Sequence, residues 1–306
     1  MKKQKPDWIQ IFTVKIAEHL HEPTDTIPSV RWLSSSTVRH LIKQVVSQLE
    51  PHPKRIENAK MVMSGLESWD VLKLFRFEET FCKPIVHTLY RFGLTGPDEP
   101  DIREALQALY PHGTLCYFTA LAFHELTLQV PPIHHIAVVA PPRQRESLPV
   151  LPLAKKSPSL GTILFRHSGV CGYLTRRDPR YLQGRQQHWY SPECIIRITS
   201  LEQSLLDTLI RPNSCGGLSV IFESWQRGSS RVDPEVLMSL IKSIGDPLLS
   251  RRAAFMLNVN GCSQDDALEG WIMEQHRMAK SQNAIPLLPA MPGGNLDKDW
   301  MLEIPQ

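Results

Sequence analysis

Two Asp-Pro pairs, at 233–234 and 246–247, do most to limit how this chain can fold. Aspartate suits the N-cap of a helix, and proline suits its first turn, where a missing N–H costs nothing. Each pair is followed by an apolar stripe, and Gly245 and Asn260-Gly261 supply the stop signals. The same punctuation runs back to Ser200. Ser200 and Gln203 have the spacing of a capping box, Leu201, Leu205, Leu206 and Leu209 form a buried face, and Pro212 ends the helix. Gly216-Gly217 open the next helix, with Leu218, Ile221, Phe222 and Trp225 on one face. A fifth helix follows over "QDDALEGWIMEQHRMAK". Consecutive short-looped helices pack as antiparallel neighbours, so residues 200–280 are expected to form a bundle. The stretch "IPLLPAMPGGNLDKDWMLEIP" reads as an extended tail that returns to the sheet of the mixed α/β part.

The remainder divides in two. "WIQIFTVKIAEHL", "SSSTVRHLIKQVVSQLE" and "SWDVLKLFRFEETF" are all amphipathic at helical spacing, so the first ninety residues read as helical. "GLTGPDEPD" (93–101) has linker composition. Beyond it, "IREALQALY" and "YFTALAFHEL" read as helices, and 133–140, 161–168 and 194–199 read as strands. The expected fold class is α+β. A helical N-terminal domain over 1–95, for which a divergent winged helix is one form, precedes a mixed α/β domain with a C-terminal helical bundle over 96–306.

Charge is unevenly spread. Residues 1–60 hold ten Lys and Arg against six acids, 141–190 hold nine against two, and 200–306 hold nine against thirteen. The two basic regions could each face a polyanion. No run of eighteen apolar residues occurs, so no membrane span is expected. The six cysteines (82, 116, 171, 194, 215, 262) include no C-x-x-C, which fits reduced thiols and a cytoplasmic protein without a signal peptide.

Motifs for catalysis are wanting. Glu202 and Asp207 are five apart, about 140° around a helix, and do not share a face. Gly216-Gly217 belong to no phosphate-loop pattern. His134-His135 on a strand point to opposite faces, and no H-E-x-x-H or G-x-S-x-G exists. "GGNLDKDW" (293–300) has glycines and acids too close together for a nucleotidyltransferase magnesium site. No catalytic residue, metal or cofactor is expected.

"ITSLEQSLLDTLIRPNSCGGL" (198–218) resembles the E-R-A-L-L-D…R-P…GG core of AbiEi-family antitoxins of type IV toxin–antitoxin systems. "GTLCYFTALAFHELTLQVPPIHHIAVV", "LLSRRAAFMLNVNG" and "LPAMPGGNLDKDWMLEIP" resemble that family's other ordered motifs, so the likeness covers about residues 105–306. Gln203 and Ala254 depart from it, standing where Arg and Gly are common. The resemblance implies a non-enzymatic antitoxin that counters a nucleotidyltransferase-like toxin encoded nearby and binds its own operator DNA. It implies structural roles for Glu202, Asp207, Arg211, Gly216, Gly217 and Arg252, with Asp207 expected to bond a helix N-terminus or Arg252.

The family's N-terminal winged helix-turn-helix is not visible as a basic hairpin after a recognition helix. DNA contacts are expected from Thr37, Arg39 and Lys43 on the 36–49 helix and from Lys54 and Arg55 after it. Arg176, Arg177 and Arg180 form the competing site. The alternative is a scaffold or adaptor subunit of a mobile-element or phage-defence complex.

Overall fold

The computed structural model describes residues 7–21, 23–48, 59–81, 88–93, 96–139, 160–261, 266–289, 291 and 293–305. The chain forms two compact units. The first gathers Met1–Gly113, Leu164–Gly169 and Gln187–Arg197; the second gathers Thr114–Ile163, Val170–Gln186 and Ile198–Gln306. The boundary expected after residue 95 therefore falls inside the first unit.

The first unit begins α1 (Asp7–His19), β1 (Trp32–Ser34), α2 (Ser35–Gln48) and α3 (Ala59–Ser68). Next come β2 (Leu72–Arg76), β3 (Glu79–Thr80), β4 (Thr88–Phe92) and α4 (Ile102–Leu109). An antiparallel sheet of order β1-β4-β2 places Tyr90 between Leu33 and Leu74. The sheet thus takes one strand from before α2 and two from after α3, with β4, the last of them in the chain, at its centre.

The helical reading of 68–81 is thus corrected: α3 ends there and a strand begins. Asp70 turns the chain with φ +54. Leu72 and Phe75 are buried while Leu74 is exposed, so no clean period of two marked the strand. The core joins Ile9, Phe12 and Ile16 of α1 to Val38, Leu41, Ile42 and Val45 of α2 and Val62, Met63 and Leu66 of α3. A Cβ on Gly65 would lie 2.5 Å from the Trp8 ring, which explains a glycine inside α3.

The first unit is closed by distant residues. Buried Ser29 donates its hydroxyl to Glu104 at 2.6 Å, and Val30 N–H donates to the Glu193 carbonyl at 2.9 Å. Ile195 N–H donates to the Pro28 carbonyl at 2.7 Å. Strand β3 pairs antiparallel with a later strand, Glu79 opposite Arg166 and Thr80 opposite Phe165, and Phe77 stacks on Phe165 at 3.8 Å.

The later elements are β5 (Thr114–Cys116), α5 (Phe118–Phe123), β6 (Ile133–Val139), β7 (Thr162–His167), β8 (Val170–Arg177), β9 (Arg185–Ser191) and β10 (Cys194–Thr199). Within the second unit, β8 runs parallel to β6, β6 antiparallel to β5, and β5 parallel to β10 at Leu115 and Ile198. Strands β8 and β9 lie largely in the 141–190 region, which the sequence marked only as basic. The buried positions of β8 are Gly172, Thr175 and Arg177, so no apolar alternation betrays it.

The bundle follows as α6 (Leu201–Ile210), α7 (Leu218–Gly228), α8 (Pro234–Ile244), α9 (Pro247–Val259) and α10 (Asp266–Ala279). Asp233 and Asp246 cap α8 and α9, each accepting two backbone N–H groups. The expected capping box at α6 is half formed. Ser200 Oγ accepts from Gln203 N–H at 3.2 Å, but the Gln203 side chain turns to the N–H groups of Gln183 and Gly184. The tail makes its own sheet of β11 (Ile285–Pro286), β12 (Asn295–Asp297) and β13 (Leu302–Ile304), in order β11-β13-β12.

Candidate nucleic-acid interface

In a helix-turn-helix the second helix enters the major groove and the first crosses the backbone. In chain order α2 and α3 are the two helices before β2, so by that analogy α3 takes the place of the second helix. Helix α3 buries Val62, Met63 and Leu66 and exposes Lys60, Met61, Ser64 and Ser68.

A groove of about 520 Å³ runs beside it, bounded by Arg39 of α2, Lys60 and Ser64 of α3, Arg76 of β2, and Thr88 and Tyr90 of β4. Three cations from three elements thus meet hydroxyl groups on one surface. Tyr90 shows how close they come. Burial raises its phenol above the ordinary value and Glu67 adds to the rise, while Arg39 and Arg76 both oppose it. Among the described residues, Glu67 is the one carboxylate lining the groove. The arrangement can hold polyanion oxygens by charge and by hydroxyl donors, the two kinds of contact that position a duplex.

The residues expected at this interface separate. Arg39 lines the groove, and Lys43 is exposed one turn further along α2. Thr37 is half-buried; Ser34, the residue before α2, accepts its N–H at 3.2 Å as the helix cap, and the two hydroxyls are bonded at 2.9 Å. Lys54 and Arg55 lie outside the described residues. Lys60, Ser64, Arg76 and Tyr90 were missed. The signal that could have found them is the short apolar set Val62, Met63 and Leu66, weakened by Gly65 in its middle.

Of the competing set, Arg176 and Arg180 are exposed on the second unit. Arg177 is corrected: it is only 4% exposed and binds Asp207 in a fork, Nη1 to Oδ2 at 2.7 Å and Nη2 to Oδ1 at 2.6 Å. A guanidinium so held cannot meet a phosphate. Asp207 accepts a further bond from Gln203 Nε2 at 2.9 Å, so its partners are these two and not Arg252 or a helix end. Burial pushes the Asp207 carboxyl up, against the pull of Arg177. Burial alone would lower Arg177, but the adjacent carboxylate holds it above the ordinary arginine value.

The other motif residues have structural contacts. Glu202 accepts the Asp233 N–H at 3.1 Å, and Arg252 Nε donates to the Pro286 carbonyl at 3.0 Å. Arg211 lies over the Tyr117 ring at 5.9 Å. Gly216 has φ +89, and a Cβ there would sit 2.7 Å from the Phe118 ring; Gly217 shares the positive φ. These residues pack elements together, and none of them lines the groove.

The fold is similar to that of the RV2827C protein from Mycobacterium tuberculosis. The two share 12% identity with a TM-score of 0.52, over 98% of this chain and 92% of that one. At that identity the likeness is one of fold alone. No family model and no curated protein matches the chain. No described helix is long and apolar enough to cross a membrane.

Proposed function

We propose that this chain is a non-enzymatic, cytoplasmic, DNA-binding regulator that serves as the antitoxin of a type IV toxin–antitoxin module. Its winged-helix unit binds operator DNA, and its functional counterpart is a nucleotidyltransferase-like toxin encoded nearby. The observation that carries the DNA-binding part is the groove in which Arg39 of α2, Lys60 of α3 and Arg76 of β2 are gathered. The antitoxin part rests on the motif resemblance over residues 105–306. The buried fork of Arg177 and Asp207 agrees with a structural role for that motif.

Gel shifts on the region upstream of the chain's own reading frame test the binding. Each lost phosphate contact lowers the slope of log affinity against log salt by about 0.9 on duplex DNA. Arg39→Ala with Arg76→Ala is expected to lower that slope by about 1.8. Arg176→Ala with Arg180→Ala is expected to leave it unchanged. The reverse result moves the DNA surface to the second unit, and no binding by the wild type ends the reading.

A second reading, an adaptor in a phage-defence or mobile-element complex, is favoured by one loop. Leu128 and Val130 are 78% and 87% exposed, yet their loop is firmly braced. Glu223 accepts the Thr127 hydroxyl at 2.7 Å and the Leu128 N–H at 2.9 Å. Apolar side chains held rigidly in solvent suit a protein contact.

A further inference from the structure

We infer that Met61 reads the 5-methyl group of a thymine in the major groove. The inference rests on the DNA-binding reading above and names what one exposed side chain of α3, next to Lys60 of the groove, recognises. Met61 is the third residue of α3, and residues at the start of a recognition helix are those that reach base edges. It is 49% exposed on a helix whose apolar needs are met by Val62, Met63 and Leu66. Three and seven residues on stand the exposed Ser64 and Ser68, while Gly65 between them packs against Trp8. The two serines are short, and Met61 projects beyond them.

The chemistry then selects the base. A thioether donates no hydrogen bond and accepts only weakly, so the nitrogen and oxygen atoms of guanine, adenine and cytosine offer it little. The thymine methyl is the apolar feature of the major-groove pattern. Methionine is unbranched and polarisable, and it can settle over a methyl without a fixed geometry.

The test uses the full chain. A duplex is first selected from a random-sequence library, and each of its thymines is then replaced singly by deoxyuridine, which pairs identically but lacks the methyl. At one position or more the replacement is expected to weaken wild-type binding about four-fold, the worth of one buried methyl-sized group. Met61→Ala and Met61→Gln are expected to bind thymine and uracil duplexes equally at that position, whereas Met61→Leu keeps the preference. Circular dichroism should match the wild type, since alanine and glutamine are good helix formers. If the wild type discriminates at no thymine, or Met61→Ala discriminates unchanged, the inference is overturned while DNA binding stands. If the chain enriches no duplex, the DNA-binding reading fails and takes this inference with it.

Discussion

His135 has no exposed surface; its ring lies edge-on to Tyr117 at 5.3 Å and stacks on Tyr173 at 5.4 Å. Burial pushes its imidazole down to about 3. In the unfolded chain a histidine titrates near about 6.5. Between those values the unfolded state binds a proton that the folded state does not, so stability falls as pH falls. The expected slope is up to about 1.4 kcal/mol per pH unit below pH 6.5. Urea unfolding at pH 7.5, 6 and 5 measures it. His135→Phe, which keeps a ring between the tyrosines, should lose this part of the slope; equal slopes in variant and wild type would contradict the assignment. The sequence carried half of this. Adjacent histidines on a strand had to face opposite ways, and His135 is buried while His134 is half-buried. The neighbour could not be read. Tyr117 sits at φ +59, a conformation its residue type disfavours, imposed by the turn from β5 into α5.

Where a single residue fixes an element's end, the element was legible. Asp233, Asp246, Gly245 and Pro212 mark helix ends in the sequence, and the helices start and stop at them. Strands β2, β8 and β9 were not legible, because partners elsewhere decide which of their faces is buried. The clearest case is β8, which buries Arg177 against Asp207 of α6. That pair makes the join between strand and helix all-or-nothing. Asp207→Ala would leave Arg177 charged, buried and without its carboxylate, and is expected to cost about 3–5 kcal/mol. Replacing both, Arg177→Met with Asp207→Leu, should cost much less, since a packed apolar pair of similar volume is often neutral. Equilibrium unfolding of the two singles and the double gives the coupling directly. Additive costs would mean that the fork contributes nothing beyond its separate parts.

At the scale of the molecule, the linker composition at 93–101 suggested a cut that the fold does not make. Local composition describes a segment's solvation, whereas membership of a unit depends on contacts far along the chain. Arg103 of α4, beyond that stretch, bonds the Tyr190 hydroxyl. Ser29 is bridged to Cys194 and bonded to Glu104, and Arg31 pairs with Glu193 at 2.7 Å. A fragment of residues 1–95 would keep α1–α3 and the three-stranded sheet. It would expose the backbone groups of 28–30 that now pair with 193–195, and would leave buried Ser29 without its carboxylate. Each buried group stripped of its partner costs about 1–3 kcal/mol, against a total stability of about 5–15 kcal/mol for a domain. The fragment is therefore expected to melt lower and less cooperatively than the first unit does within the whole chain, as read by hydrogen exchange at the α2 amides. Adding a separate peptide of residues 185–199 should restore part of that protection, because the missing strand contacts come from it. Full native protection in the fragment alone would mean that these three helices and their sheet are autonomous, and that the later segments dock on them without supporting them.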